Sequence, residues 1–231
     1  MTKQSSRRIA ALGMLVGILV NVPVHADCGD KPRPQVDWTN CTKMRLVLRN
    51  NDLSGAVLQR TNLSSTDLAG AKLQGAVLVE AIIDRVRFRE ADLTGSDLTK
   101  AQGSRVNFQK ANLAGVTLKK SELLRADFSG ANLENADVSK AELGRAVFAE
   151  ANLNGADLSY SNVARANFSE AQLENVDLTR AYTYLTRFEG VDLSKTIGLT
   201  QEQLELACGD LHTQLPNGLE KPTSWPCAKD D

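Results

Sequence analysis

The chain has 231 residues, with 27 Lys and Arg against 28 Asp and Glu, for a formal net charge of −1. That length allows one or two domains, and a charge so close to zero gives no electrostatic footprint for nucleic acid. Two His and four Cys leave little material for acid–base or metal chemistry.

Residues 1–26 read as an export signal rather than as part of a fold. Lys3, Arg7 and Arg8 form a positive start, and Ile9 to Val20 is an almost unbroken apolar run. At about a dozen residues this run is too short to span a bilayer comfortably. Val24-His25-Ala26 matches a signal-peptidase site, so cleavage after Ala26 is predicted. An uncleaved N-terminal anchor is the alternative. Ser6-Arg7-Arg8 suits the twin-arginine route as well as the general one, and both stay open. The remaining chain carries 24 basic and 28 acidic residues, a net −4, and no second apolar segment of spanning length. A soluble periplasmic or secreted protein is the expectation.

Residues 27–50 follow, with Pro32, Pro34, Trp38, Cys28 and Cys41. Cys208 and Cys227 lie near the other end. An even cysteine count in an exported chain favours disulfides. Of the three connectivities, the spacing favours Cys28–Cys41 and Cys208–Cys227. A metal site is disfavoured, because CxxC spacing is lacking and His212 is the one histidine after the signal.

From Leu53 to Leu193 an apolar residue recurs at every fifth position. Of these 29 centres, 27 are Leu, Phe, Ile or Val; Gly103 and Thr183 break the series. A small residue, usually Ala, sits two positions before each centre, and Asp or Asn is frequent between them. On an α-helix five residues advance about 140° past a full turn, so the centres would scatter. On a flat strand successive centres would face opposite ways. A chain that turns a corner every five residues buries them all.

A second period gives the number of sides. The six Phe are all centres, at Phe88, Phe108, Phe128, Phe148, Phe168 and Phe188, a constant spacing of 20. A coil therefore has four sides, with Phe always on the same one as a core ladder. The corner residues repeat at the same interval. One corner reads Gly75, Gly95, Gly115, Asn135, Gly155 and Asn175, residues that tolerate positive φ, so this corner is expected to need it. The next carries Lys100, Lys120 and Lys140, then Tyr160 and Arg180. A third carries Arg85, Arg105, Arg125, Arg145 and Arg165. The fourth is mixed, with Glu90, Lys110, Gly130, Glu150 and Glu170.

Past the repeats, Leu199 to Leu204 reads as a helix start, running to about Ala207. Thr200 and Gln203 have capping-box spacing, and Leu199 and Leu204 that of a hydrophobic staple. Leu215-Pro216-Asn217-Gly218-Leu219 is a turn signal in a tail that also holds Trp225.

Stretches such as Ala91-Asp92-Leu93-Thr94-Gly95, Ala131-Asn132-Leu133 and Ala151-Asn152-Leu153-Asn154-Gly155 resemble the pentapeptide-repeat family pattern A(D/N)LxX. The resemblance covers roughly Asn51 to Lys195. It implies an all-β solenoid, a right-handed quadrilateral β-helix of about seven coils, roughly 34 Å long at β-strand spacing. The expected organisation is a signal (1–26), an N-terminal cap with Trp38 plugging the first coil (27–50), the β-helix (51–195), and a C-terminal cap with a short helix and a disulfide-tied tail (196–231).

No nucleophile–base arrangement and no phosphate loop stands out, so no enzyme activity, cofactor or metal is expected. The Arg85–Arg165 column, with Lys100, Lys120 and Lys140 one corner away, is the sharpest feature. Either outward acids such as Glu90, Glu150 and Glu170 pair with it, or it binds an unidentified protein or acidic envelope polymer through bidentate arginine contacts. The expected function is a non-enzymatic interaction or structural scaffold. The family also implies an alternative, a DNA-mimicking topoisomerase binder. The export signal and the near-neutral charge disfavour it, and nucleic acid is disfavoured as a partner.

Overall fold

The computed structural model describes residues 26–227. The signal segment, Ala26 excepted, lies outside the described residues. Isolated parallel bridges join residues 20 apart, as in Asp127↔Val147 and Val147↔Asn167. Four turns separate bridged partners, so each coil has four sides and the chain is a solenoid.

One pentad, Ala126 to Gly130, shows why the unit repeats. The Ala126 N–H donates to the Leu123 carbonyl (3.2 Å) and closes the corner. The Asp127 N–H reaches back one coil to Val106 O (2.9 Å). Phe128 and Gly130 donate forward to Val147 O (2.7 Å) and Ala149 O (2.8 Å). Only the Ser129 N–H has no backbone acceptor, and the Asp127 carboxylate takes it at 3.0 Å. The same side-chain bond recurs at Asp52, Asn107, Asp157 and Asn167. Where an Asp or Asn stands ahead of the centre, it therefore completes the N–H accounting of its pentad.

Each corner is a four-residue turn with positive φ at its third position, the type II signature. Every corner from Gln35 to Gly190 has φ between +53° and +73°. The Gly and Asn corner has the positive φ expected of it, and the other corners share it: Arg125 (φ 57), Lys120 (φ 57) and Glu150 (φ 59) adopt it too. The left-handed conformation costs a non-Gly residue about 1–2 kcal/mol. The corner N–H and the i+3 turn bond, about 0.5–1.5 kcal/mol each, offset that cost whatever the side chain.

The centres and the small residues before them form one continuous buried core. The Phe rings stack along one wall, with centroids 4.7 to 5.1 Å apart from Phe88 to Phe168. The last pair, Phe168 and Phe188, opens to 5.4 Å and 24°. Gly103 is not an empty notch. A Cβ there would meet Ile83 Cγ1 and Val106 Cγ2 at 2.8 Å, so neighbours already fill the space. Thr183, the other break, is fully buried and donates from Oγ1 to Gln203 O at 2.7 Å.

The coil begins earlier than Asn51. Asp37 already bridges Val57 and Thr42 bridges Asn62, so part of the 27–50 segment lies inside the solenoid. Trp38, Lys43 and Leu48 occupy the first centre positions. Lys43 hides the register in the sequence because its ammonium lies over the Trp38 ring, 4.1 Å from the centroid, and donates to Cys28 O. Trp38 is buried, with its indole N–H on Asp30 O.

At the far end helix α1 spans Gln201–Leu206. Thr200 Oγ1 accepts from the Gln203 N–H, and Gln203 Oε1 accepts from the Thr200 N–H. The Gln203 amide also donates to Leu178 O and Ala181 O, which binds the helix to the last coils. The ladders continue past it through Arg187↔Cys208 and Asp192↔Gln214. The Trp225 ring packs on Gly209, where a Cβ would come within 2.2 Å of it, and its indole N–H donates to Ala207 O.

A candidate anion-binding corner

The corner that follows the side with centres Leu123, Leu143 and Val163 carries Arg85, Arg105, Arg125, Arg145 and Arg165, all exposed. The 20-residue repeat sets them one above another at the coil rise that the Phe rings mark, 4.8 Å at mid-solenoid. Among the described residues, none of the five makes an ion pair within 4.0 Å. Pairing with Glu90, Glu150 or Glu170 is therefore corrected: Glu90 pairs with Arg89, and the other two lie on the following corner without an arginine partner. The geometric reason is that a whole side of the polygon separates the two corners.

The lysine corner behaves differently. Lys100 pairs with Glu80 at 3.3 Å, and Lys140 lies 5.8 Å from the Tyr160 ring centroid. Arg180 also approaches that ring, at 5.6 Å. The side between these two corners holds outward Gln102, Glu122, Glu142 and Asn162, so lysines and arginines do not merge into one patch.

Arg125, Arg145 and Arg165 instead line a shallow groove of roughly 320 Å³ with Leu124, Gly144 and Ala164. Leu124 is 50 % exposed. The column of floor residues ends at Tyr184, which stacks on Tyr182 with centroids 6.3 Å apart. All three tyrosines of the chain, each 42–50 % exposed, stand on this side or at its edge. The apolar floor was missed from sequence. Its signal is the position after the centre at spacing 20, Leu124, Gly144, Ala164 and Tyr184, where the other sides are mostly polar.

Elsewhere, Asp67 is a buried carboxylate held by Arg49 and by Arg87 at 2.9 Å. Burial pushes its pKa up, but bonds from Arg87, Arg49 and the Ala69 N–H outweigh this and hold it at about 2. It is saturated by these partners and is structural. Cys28–Cys41 and Cys208–Cys227 are disulfide-bonded. Among the described residues no cluster of His, Cys, Asp and Glu could hold a metal ion, and no helix is long and apolar enough to cross a membrane. His212 is exposed, and its backbone N–H donates to Asp210 Oδ1.

Residues 45–82 and 81–119 match pentapeptide repeats (8 copies), and residues 121–197 match the pentapeptide repeat region. No curated protein matches the chain. Among solved structures, a trypsin-treated form of QnrB1, a plasmid-mediated fluoroquinolone resistance protein, is 21 % identical with a TM-score of 0.58. That alignment covers 75 % of this chain and 84 % of the other. A second trypsin-treated form gives 20 % identity and a TM-score of 0.53, over 78 % and 84 %. HetL, a pentapeptide repeat protein involved in heterocyst differentiation regulation in the cyanobacterium Nostoc sp. strain PCC 7120, is 25 % identical over 86 % of this chain and 90 % of its own, with a TM-score of 0.49.

Proposed function

Because the chain belongs to the pentapeptide-repeat family, we propose that it is an exported, non-enzymatic scaffold, a right-handed four-sided β-helix whose arginine corner binds an acidic partner. The observation that carries this is the column of five exposed arginines with no carboxylate within ion-pair distance among the described residues. Like charges one coil apart repel, and exposed positions offer water and salt as the only relief. A stable fold does not need this arrangement, and an anionic ligand relieves it. Arginine suits the task because its planar fork grips carboxylate or phosphate with two bonds.

Export is supported by the two disulfides, which persist in oxidising compartments, and by the signal-like composition of residues 1–26. The helix and tail act as a cap that closes the C-terminal end of the ladders. The alternative of a DNA-mimicking topoisomerase binder needs a continuous acidic surface, and the arginine corner runs against it.

The test is binding of the purified full chain to an immobilised acidic polymer at two salt concentrations. Binding that weakens with salt and is lost in Arg105→Glu plus Arg125→Glu is expected. Binding that survives both changes contradicts the proposal. Cell fractionation tests export: recovery of the protein from the cytoplasm alone, with reduced cysteines, overturns that part.

A further inference from the structure

We propose that the groove beside the arginine corner binds a 1,4-linked polyuronate, an acidic polysaccharide lying along the solenoid axis; this rests on the acidic-partner reading above. Three features of the groove choose this polymer over other polyanions.

The first is its floor. Leu124, Gly144 and Ala164 leave a low apolar strip beside Arg125, Arg145 and Arg165. Gly144 has no side chain, and a Cβ there would already crowd Leu124 Cδ2 at 3.3 Å. A pyranose ring is a flat unit with an apolar face and a polar rim, and such a strip accepts its face. At the C-terminal end Tyr184 and Tyr182 stack at 6.3 Å and 11°. Half-exposed aromatic rings of this kind offer an apolar surface with a hydroxyl at the tip.

The second is pitch. The coil rise, marked by the stacked Phe rings, is 4.7–4.8 Å through the groove region. An extended 1,4-linked sugar chain turns successive residues to opposite edges, so carboxylates on one edge recur every second residue, close to two coil rises, and meet every second arginine. An extended acidic peptide places same-side residues about 6.7 Å apart and slips by about 2 Å per coil.

The third is the opposite bank. Glu122 and Glu142 are exposed on the same side of the polygon, two residues before Leu124 and Gly144. Glu142 accepts from Asn162 at 2.8 Å and has acceptor capacity left. A polymer with charge on every edge is repelled there. A polyuronate presents carboxylates to the arginines and hydroxyls to the glutamates.

Calorimetric titration of the full chain with oligogalacturonates of increasing length tests this, alongside a neutral 1,4-glucan, polyglutamate and single-stranded DNA. Affinity should rise with length until the oligomer spans the arginine column, and the neutral glucan should not bind. Arg125→Gln plus Arg145→Gln should weaken galacturonate binding about tenfold or more, as expected for lost charge-assisted bonds. Tyr184→Ala should weaken galacturonate severalfold and leave polyglutamate unchanged. If polyglutamate or DNA binds as tightly as galacturonate and Tyr184→Ala changes nothing, the sugar assignment fails while the acidic-partner reading stands. If no polyanion binds, or the double glutamine variant binds as well as the parent, both fail. Circular dichroism of each variant separates these outcomes from misfolding.

Discussion

Replacing Phe128 with alanine tests the inward ladder where it is most regular. Phe128 is fully buried and stacks on both neighbours, Phe108 and Phe148, with centroids 4.8 Å away and rings within 5° of parallel. Truncating a buried Phe costs about 3–5 kcal/mol through lost burial and the cavity left behind. Two stacked contacts, worth about 0.5–1.5 kcal/mol each, are contained in that figure and push it to the upper end. Neighbouring coils cannot collapse into the hole, because bridges on either side fix the coil rise. Phe188 is the internal control: it has one aromatic neighbour, tilted by 24°, at the end of the stack. Phe188→Ala should cost less by about one stacked contact, roughly 1 kcal/mol. Urea unfolding followed by far-ultraviolet circular dichroism measures both, with identical baselines required because long repeat arrays can melt in parts. A Phe128→Ala protein as stable as the parent, or less affected than Phe188→Ala, would refute the reasoning.

Further substitutions probe the corners, the core and the charges. Arg125 pays for a left-handed φ of 57°, so Arg125→Asn should leave stability unchanged or raise it by up to about 1 kcal/mol, whereas the β-branched Arg125→Val should lower it by at least that much in the same urea assay. Among the described residues the buried Ser121 hydroxyl has no hydrogen-bond partner, and Ser121→Ala should stabilise the protein by about 1 kcal/mol; Ser161→Ala, which deletes a bond to Leu158 O, should not. The Asp67 carboxyl is held at about 2, below the usual 3.8, so its contribution is present above pH 4 and fades as pH falls towards 2. With both arginines half exposed, that contribution is about 1–2 kcal/mol. Asp67→Asn should lose it at pH 7 and show a flatter stability profile below pH 4; an unchanged profile would contradict the assignment.

The solenoid was legible because its two periods are physical constraints. Five is the distance between corners, and a chain that bends so often must turn its Leu and Phe inward. Twenty is the coil, written most plainly by the six phenylalanines. The cysteine pairs were legible by proximity. Other features were hidden where one residue does an unexpected job. Lys43 stands at a centre position with its ammonium over Trp38, so the first coil does not read as repeat. Thr183 breaks the apolar series because its hydroxyl ties the wall to Gln203 of the terminal helix. The positive φ at Arg, Lys and Glu corners follows from backbone bonds between coils, which side-chain preference does not report. The arginine column was visible, but its apolar floor was not, because Leu124, Gly144, Ala164 and Tyr184 share no chemistry until the fold aligns them.

The claim beneath all of this is that residues 20 apart sit directly above one another, which turns five scattered arginines into a line. Pulsed dipolar distances between nitroxide pairs placed at 85 and 125, 85 and 145, and 85 and 165 measure it. The three distances should increase in equal steps of one coil rise, about 4.8 Å each, to about 19 Å of backbone separation for the last pair. Steps that are unequal, or a last distance no longer than the first, would contradict the account.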